Sequence, residues 1–501
     1  MSRTLTRRSS GFPGILGADG LPHENSTPLK TRKALRASYD AAQTTDNNRR
    51  HWANADYLLA NEATSYQVRR TLRSRARYEV ANNCYAKGIV RTLASEVVGT
   101  GPRLQILTED PKVNQAIEER FSAWSRRIGL AEKLRIMRAA ISCDGESFAV
   151  FTTDFSRSQE ISLDLVPVEA DRVTQPMGVP ETEDMVDGIR YDVSAQPKSY
   201  TVLRSYPGLA AMQVSLPIEY DTLPASRVIH WYFPDRAGQS RGVPELTPAL
   251  PLFAMLRRYT LAVLAAAESA ADWALVFTTN QPPDEVAAAV PMDWSFETES
   301  RMGVFAPEGW KPEQIRAEQP ATTYEMFKRE ILNEIARCLD VPYNVAAGNS
   351  SSYNYASGRL DHQTYARAIE VQRDHAETIV LDRLLAEWLR EASLLPGFLP
   401  ASDPWAQLPR HEWFWTGREH VDPAKEAAAQ SDHLGNYTTT LAIEYAKQGL
   451  DWEAALRQRA REIALMGELN LPVPDANRAG REIDRVAERM ADEVTDRSSG
   501  N

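Results

Sequence analysis

A chain of 501 residues is long enough for two to four domains with separate cores. Its apolar content of 43% and charged content of 25% are typical of ordinary soluble globular proteins. The net charge of −11 argues against an extended basic surface that grips nucleic acid through its phosphates.

The cysteines predict no metal or redox chemistry. Cys84, Cys143 and Cys338 are odd in number, far apart and without a CxxC pair, which is typical of free thiols in a reducing compartment. The N-terminus carries arginines but no apolar run after them, so no secretory signal is visible and a cytosolic protein is expected.

Residues 1–52 are predicted to form a flexible arm, because glycine, proline and serine are frequent there and apolar residues are few. Helical periodicity begins near Asn54 and includes a basic cluster of five arginines: Arg69, Arg70, Arg73, Arg75 and Arg77. This cluster could contact a polyanion, but a solvated helix face paired with acidic neighbours is the favoured interpretation. Further helices over 114–124 and 130–141 precede a turn at Asp144-Gly145-Glu146. Apolar and polar residues then alternate through 145–233, which predicts an antiparallel β-rich module.

The stretch Arg227–Phe277 joins this module to a long helix. A short strand, 228–233, is followed by a loop, 234–244, that carries Asp235, Arg236, Gln239 and Arg241. Apolar residues spaced three or four apart then predict a helix of about 28 residues, roughly 42 Å long. Its second half is mostly small side chains, and four charged residues argue against a membrane span: Arg257, Arg258, Glu268 and Asp272. A long helix behind a basic loop indicates assembly rather than enclosure of a substrate.

The segment after Phe277 is proline-rich, with a short helix expected near 284–290 and a strand at 302–305. An amphipathic helix containing Tyr324 and Ile335 leads to a polar loop, 346–358, and then to a helix of about 35 residues. The part 394–423 is loop-rich and aromatic, 423–469 is helical, and a last amphipathic helix is expected over 483–494.

No motif predicts catalysis, a cofactor or a metal. Phosphate-binding loops, a nucleophile elbow and the HExxH pattern are all missing from the sequence, and His411-Glu412 is only half of the last. Asp144 and Glu146 are conceivable as a glycosidase-like pair, but an Asp-Gly turn before a strand explains them without chemistry. His230 is interpreted as a core or interface histidine.

The ordered set of motifs resembles the lambda-type portal proteins of tailed bacteriophages. The resemblance runs from about Ala53 to Pro472 and rests on these stretches: Arg75-Ala76-Arg77, Asn82-Asn83-Cys84-Tyr85-Ala86, Val97-Val98-Gly99-Thr100-Gly101, Asp144-Gly145-Glu146, Val228-Ile229-His230, Gly238-Gln239-Ser240-Arg241-Gly242-Val243-Pro244, Ile335-Ala336, Leu339-Asp340-Val341-Pro342-Tyr343, Asn354-Tyr355-Ala356-Ser357-Gly358-Arg359 and Val421-Asp422-Pro423 with Lys425-Glu426. Asp340, Ala356 and Gly358 depart from the family's usual Gly, Ser and Ala.

The resemblance implies an α+β portal fold with a β-rich wing, long stem and tunnel helices, a small clip and an α-helical C-terminal crown. On this chain the parts are an arm (1–52), the wing (53–245), the stem helix (246–275), the clip (276–305), a second wing and stem part with tunnel loop and long helix (306–394), the crown (395–472) and a C-terminal helix and tail (473–501). The implied assembly is a homododecameric ring at one capsid vertex of the virion, formed in the host cytoplasm. Double-stranded DNA would pass through its channel during packaging and ejection, without sequence specificity.

The implied partners are other copies of the chain, the large terminase subunit, the major capsid or scaffold protein and a head-tail connector, with no membrane. The packaging ATPase belongs to terminase, so this chain is expected to be no enzyme and to need no cofactor. Two loops are the candidate sites. The assembly loop is assigned to Arg236, Gln239, Arg241 and Gly242, and the tunnel loop to Asn349, Ser350, Ser351, Tyr353, Asn354 and Tyr355.

We expect the arginines of the assembly loop to pair with acidic residues of a neighbouring subunit, so that Arg241→Glu abolishes assembly or packaging while the monomer stays folded. Two other hypotheses remain. One is a cytosolic carbohydrate-active hydrolase that uses acidic residues and the Trp-rich segment 405–415, and the other is a helical scaffold without a channel.

Overall fold

The computed structural model describes residues 49–155, 161–176, 179–180, 182, 184–205, 219–271, 275–279, 310–314, 321–351, 354–399, 408–417 and 423–471. The predicted arm up to residue 48, the helix near 284–290, the strand at 302–305 and the helix at 483–494 lie outside these residues. The chain forms two compact units, one of residues 1–101 and 123–409 and one of residues 102–122 and 410–501.

The helices, in chain order, are α1 (Ala60–Ala63), α2 (Tyr66–Asn82), α3 (Cys84–Val98), α4 (Pro111–Arg127), α5 (Leu130–Asp144), α6 (Leu250–Ala271), α7 (Ala321–Cys338), α8 (Tyr343–Ala347), α9 (Tyr355–Ala376), α10 (Asp382–Ser393), α11 (Pro423–Gly435), α12 (Leu441–Lys447) and α13 (Trp452–Glu468). The strands are β1 (Arg103–Ile106), β2 (Glu146–Thr153), β3 (Leu163–Val168), β4 (Met185–Val186), β5 (Ile189–Tyr191), β6 (Pro197–Leu203), β7 (Tyr220–Pro224), β8 (Val228–Tyr232), β9 (Leu275–Thr279), β10 (Trp310–Gln314) and β11 (His411–Phe414). The mixed α and β architecture predicted from the sequence is confirmed.

Helix α3 is the centre of the helical part of the first unit. Ile89, Leu93 and Val97 recur every four residues and are buried, as their spacing predicts. The helix ends at Gly99, which has a positive φ of 56°. Its last carbonyls accept hydrogen bonds from two guanidinium groups, Arg373 on Glu96 and Val97 and Arg135 on Gly99. Cations at a helix C-terminus also stabilise it through the helix dipole.

The predicted β-rich module consists of two antiparallel sheets. Their strand orders are β3-β2-β8 and β4-β5-β6-β7. The two sheets share an apolar core that includes Phe148, Val173, Ile189, Tyr200 and Val228. Successive side chains of a strand point to opposite faces, so every second residue can face this core. Strand β3 includes Pro167, which lies opposite Ala149. An edge strand tolerates proline because one side of its backbone donates no ladder hydrogen bonds.

Helix α6 has 22 described residues, where 28 were expected for the whole helix, and a 3₁₀ turn over Thr247–Ala249 precedes it. Its first half is anchored by the buried Leu250, Phe253 and Leu256. Among the described helices, Thr247–Glu268 is long and apolar enough to cross a membrane, by length and composition only. These two criteria do not separate a membrane span from a helix that packs on protein. Here Arg257 pairs with Glu79 of α2 at 3.0 Å, which is a protein contact.

The predicted amphipathic helix with Tyr324 and Ile335 is α7. The expected long helix is present as α9, a π-helical turn over Glu377–Leu381 and α10, which follow one another without a break. Its buried residues include Ile369, Val380, Leu384 and Trp388. The long helix therefore spans 355–393, slightly more than the sequence predicted.

The second unit contains β1 paired antiparallel with β11, together with α11, α12 and α13. Residues 102–122 are part of this compact unit, which therefore joins two stretches that are far apart in the chain. Strand pairing over 300 residues of chain leaves no local periodicity, so sequence patterns do not reveal it.

Candidate functional site

A buried charge cluster lies beneath the predicted assembly loop and begins on α2. Arg69, Arg73 and Arg77 are spaced four residues apart and therefore share one face of this helix. Arg73 donates from Nε to the carbonyl of Asp144 at 2.9 Å and from Nη1 to Asp171 at 3.1 Å. Arg77 donates to Asp144 and Asp171, each at 2.6 Å. The helix thus turns a row of guanidinium groups inward.

Glu146 is the central anion of this cluster. Its side chain is fully buried at the start of β2 and accepts hydrogen bonds from Arg73, from Arg241 Nη2 at 2.6 Å and from the amide of Gly242 at 3.1 Å. His230 Nε2 lies 3.0 Å from Oε2, the oxygen that also accepts from Gly242. Burial opposes the charge of Glu146, but Arg241 and Arg73 outweigh it and hold the pKa of this carboxyl well below its usual range.

His230 is confined by aromatic rings as well as by Glu146. Its ring stacks on Phe148 at 4.2 Å and on Tyr232 at 4.3 Å between centroids. Burial lowers the pKa of His230 despite the adjacent carboxylate. The predicted interpretation of His230 as a core residue is confirmed.

Asp187 is the second anion of the cluster and sits in a tight turn. Its backbone has a positive φ of 41°, and Gly188 follows with a φ of 81°. The carboxylate accepts from Arg69, from Thr174 and from Arg241 Nη1 at 2.8 Å, and its carbonyl accepts from the same Nη1 at 2.6 Å. Burial, with the nearby charge of Arg241, lowers the pKa of Arg69 to about 10, so Arg69 remains charged at neutral pH.

The assembly loop is closed by its own side chains. Gln239 Oε1 accepts from the amides of Asp235 and Arg236, and Gln239 Nε2 donates to the carbonyl of Arg241 at 2.8 Å. Ser240 and Asn61 exchange two hydrogen bonds, which fixes the loop to α1. These hydrogen bonds tie the loop together and hold it against α1.

The close backbone approach at Gly242 and Gly145 explains why two motifs far apart in the sequence both contain glycine. A Cβ on Gly242 would lie 2.0 Å from the carbonyl oxygen of Gly145, and a Cβ on Gly145 would lie 2.3 Å from the backbone of Val243. Gly145 also has a φ of 87° and ends α5. The DGE turn and the SRGVP loop are thus two halves of one backbone contact.

Another buried arginine, outside this cluster, fixes the segment that leads from the loop into α6. Arg138 of α5 donates to Glu245 at 3.0 and 3.2 Å and to Gln372 of α9 at 2.8 Å. Ser142 also donates to Glu245, at 2.7 Å. The start of α6 is therefore held by α5 and α9 together.

These contacts correct two expectations. Arg241 is buried and bound to Glu146 and Asp187 of its own chain, so the expected pairing with a neighbouring subunit does not apply to it. Of the α2 arginines, Arg69 and Arg73 are paired with acidic neighbours as expected but are buried rather than solvated. Of the two arginines in the assembly loop, only Arg236 is exposed. It donates to the carbonyl of Leu58 at 3.2 Å.

The candidate tunnel loop is much less constrained. Gly348, with a φ of 63°, ends α8, and Asn354 begins α9 by accepting from the amide of Ser357 at 2.8 Å. Asn349, Ser350 and Ser351 are exposed between them. Tyr353 lies outside the described residues, and Tyr355 is the first residue of α9, so the helix begins inside the expected loop 346–358. The structure does not bring this loop together with the assembly loop.

Asp340, which stands where the family has glycine, adopts a positive φ of 53°. Aspartate is one of the few residues that tolerate this region. Arg337 donates to its carboxylate at 3.1 Å. The glycine-like conformation before Val341 is therefore kept without glycine.

The described residues form no reactive constellation. They contain no group of three or more potential ligands that could hold a metal ion. Glu146 is enclosed by arginines, and Trp413 and Trp415 are buried, so the structure gives the hydrolase hypothesis no support. Sequence reasoning did not identify Asp187. The pair Asp187-Gly188 signals a turn, but it does not reveal the salt bridges of Asp187 to Arg241 and Arg69, which are 54 and 118 positions away.

The family model for "Phage portal protein, lambda family" matches residues 47–373, which is more than half of the chain. The protein therefore belongs to the lambda family of phage portal proteins, as its motifs predicted.

The similar proteins bear related descriptions. The "Probable portal protein" of Halomonas phage phiHAP-1 is 23% identical over 480 residues, which are 89% of this chain and 90% of that protein. Among solved structures, a chain of the virion of native gene transfer agent (GTA) particle matches with a TM-score of 0.41 and 13% identity, over 75% of this chain and 92% of that one. A chain of the neck of empty GTA particle, computed with C6 symmetry, gives 0.42 and 14%, over 75% and 93%.

Proposed function

We propose that the protein assembles into a closed ring, expected to be a dodecamer, at one vertex of a phage capsid. Double-stranded DNA passes through the channel of this ring during packaging and ejection. The ring docks the large terminase subunit during packaging and a head-tail connector afterwards, and it is embedded among major capsid or scaffold proteins. Family membership supports this role, and one structural observation carries it.

That observation is the exposed second half of α6. Leu261 and Leu264 are 59% and 54% exposed, whereas Leu250, Phe253 and Leu256 in the first half of the same helix are buried. On the adjoining α7, Met326 and Phe327 are also about half exposed. The ring of Tyr259 on α6 packs against the ring of Phe327, with 5.8 Å between their centroids. Apolar surface of this kind is stabilised when a partner covers it. We assign the partner to the next copy in the ring and this half of α6 to the stem.

The other subdomain assignments follow the same frame. Strands β9 and β10 pair antiparallel and bring residues 279 and 310 together, which supports a compact clip between them. The exposed residues Asn349, Ser350 and Ser351 are uncharged, as expected of a tunnel loop that contacts moving DNA without gripping its phosphates. The acidic net charge of −11 per copy supports a channel that repels DNA from its walls.

Ring formation is tested by negative-stain imaging and native mass spectrometry of the full chain. We expect closed rings of one dominant size. Monomers at every concentration would overturn the proposal.

A paired substitution tests the stem surface itself. Leu261→Glu with Leu264→Glu should abolish rings while leaving the circular dichroism spectrum of the subunit unchanged. The matched control is Val193→Glu, since Val193 is 95% exposed in a turn of the β-rich module. Loss of rings in the control as well would show that the effect is not specific to α6.

A further inference from the structure

Helix α13 of the second unit is an amphipathic helix that contacts α12 but leaves much of its apolar surface exposed. None of its 17 residues is buried, and even the apolar side chains of Leu456 and Ile463 are 39% and 42% exposed. A Cβ on Gly467 would meet no atom within 4 Å. An isolated helix of this length is marginal in water, so its stability requires packing against something.

Five apolar or small residues of α13 lie in one stripe along the helix, which we call the α13 stripe. Its members are Trp452, Leu456, Ala460, Ile463 and Gly467. Read from Gly467 backwards, they are separated by 4, 3, 4 and 4 residues. This is the spacing of a seam between two packed helices.

The chain that follows repeats this spacing in the forward direction. Ala479, Ile483, Val486, Met490 and Val494 are also separated by 4, 3, 4 and 4 residues. Pro472 and Pro474 interrupt the helical pattern between the two stripes. An antiparallel arrangement therefore places Ile483 opposite Ile463 and Met490 opposite Leu456.

Size and reach are also compatible. The register sets Val486 opposite Ala460 and Ala479 opposite Gly467, so a small residue of α13 faces each of these two tail positions. The connection 469–478 has ten residues and extends up to about 33 Å, whereas packed helices lie only about 8–10 Å apart.

We propose that residues 479–494 form a helix that packs antiparallel on the α13 stripe of the same chain. The α13–tail pair is then a helical hairpin that closes the C-terminal end of the second unit. A second copy of the chain is the competing occupant of the stripe, and the test separates the two.

The first test is disulfide trapping in the full chain. A mixture of ¹⁴N- and ¹⁵N-labelled A460C/V486C protein is oxidised, and linked peptides are identified by mass spectrometry. We expect a 460–486 link within single chains, in several-fold higher yield than in the control Q458C/V486C, since Gln458 lies on the opposite side of α13. Equal yields would overturn the proposal, and so would links between differently labelled chains, which would assign the stripe to a second copy.

The second test keeps the cysteines unchanged and measures amide hydrogen exchange over 452–468. Met490→Glu should raise the exchange rate of α13 several-fold, whereas Arg489→Glu, one residue off the stripe, should leave it near the wild-type rate. Unchanged exchange in Met490→Glu would contradict the packing, independently of whether rings form.

Discussion

The two candidate loops have similar polar, glycine-containing sequences but opposite surroundings. The assembly loop is fixed by Gln239, by the backbone contact of Gly242 and by the ion pairs of Arg241. In the tunnel loop, Asn349 and Ser351 are exposed, and the amide of Ser351 donates to Asn349 Oδ1 within the loop itself. The difference shows that two motifs of the same family can have different surroundings. The side chains of the assembly loop bind groups inside their own subunit, whereas those of the tunnel loop are exposed.

The largest expected effect separates two arginines of the same loop. Arg241→Glu places a third carboxylate beside Glu146 and Asp187, so we expect the free energy of unfolding to fall by at least about 3–5 kcal/mol, the range for breaking a buried ion pair. The matched control, Arg236→Glu, should change it by no more than about 0.5 kcal/mol, because Arg236 is exposed. Urea denaturation measures both. A stable Arg241→Glu monomer that fails only to assemble would restore the intersubunit interpretation.

The next effect compares one glycine from each loop. Gly242→Ala drives a Cβ into the carbonyl of Gly145, and we expect a loss of about 1–3 kcal/mol or more. Gly348→Ala meets no atom within 4 Å and should cost about 1–2 kcal/mol, from its positive φ alone.

Thermal unfolding of the two alanine variants measures this difference. If the Gly348→Ala protein unfolds at a lower temperature than the Gly242→Ala protein, the tunnel loop is the more tightly packed of the two loops and the comparison is wrong.

Acid should weaken the assembly loop's support in two steps. The pKa of His230 is lowered on folding, so the unfolded chain takes up this proton first and stability falls as the pH drops below the ordinary value of about 6.5. The depressed pKa of Glu146 adds stability that is present above about pH 4.3 and is lost as the pH falls further.

Denaturation curves between pH 7 and pH 4 test this order, with His230→Gln as the comparison. Glutamine keeps a donor for Glu146 but does not titrate, so we expect a flatter dependence from pH 7 to pH 5. An identical slope in the variant would mean that another group is responsible.

The smallest effect on stability belongs to the tunnel loop. Asn349→Ala with Ser351→Ala should change the free energy of unfolding by no more than about 0.5 kcal/mol, because both side chains are exposed. If the loop lines the channel, the yield of DNA-filled heads should nevertheless fall. A destabilised subunit, or an unchanged yield, would remove the functional distinction between the two loops.

Local periodicity predicted most elements of the first unit correctly. The four-residue recurrence of Ile89, Leu93 and Val97 predicted α3, and the alternation in Ile189 and Tyr191 predicted β5. Both patterns depend only on neighbours in sequence, and burial of one face preserves them.

Long-range pairing was not predictable in this way. The arginines of α2 carry no sign of which carboxylate they meet, because Glu146 and Asp187 are brought to them by the turns at Gly145 and Gly188. For the same reason a run of arginines was interpreted as solvated. The pairing of β1 with β11 was equally hidden, since each strand has only four residues.

The π-helical turn at Glu377–Leu381 has a consequence for chain length. Ala376, Val380, Leu384 and Trp388 are all buried at four-residue intervals, and each such step carries a stripe about 40° further around an α-helix of 3.6 residues per turn. The wider i→i+5 turn absorbs part of this drift and keeps the buried side chains on one side of the long helix. A residue removed within this turn would be accommodated by a return to α-helical winding. The same deletion in the middle of α9 would rotate every residue that follows by about 100°.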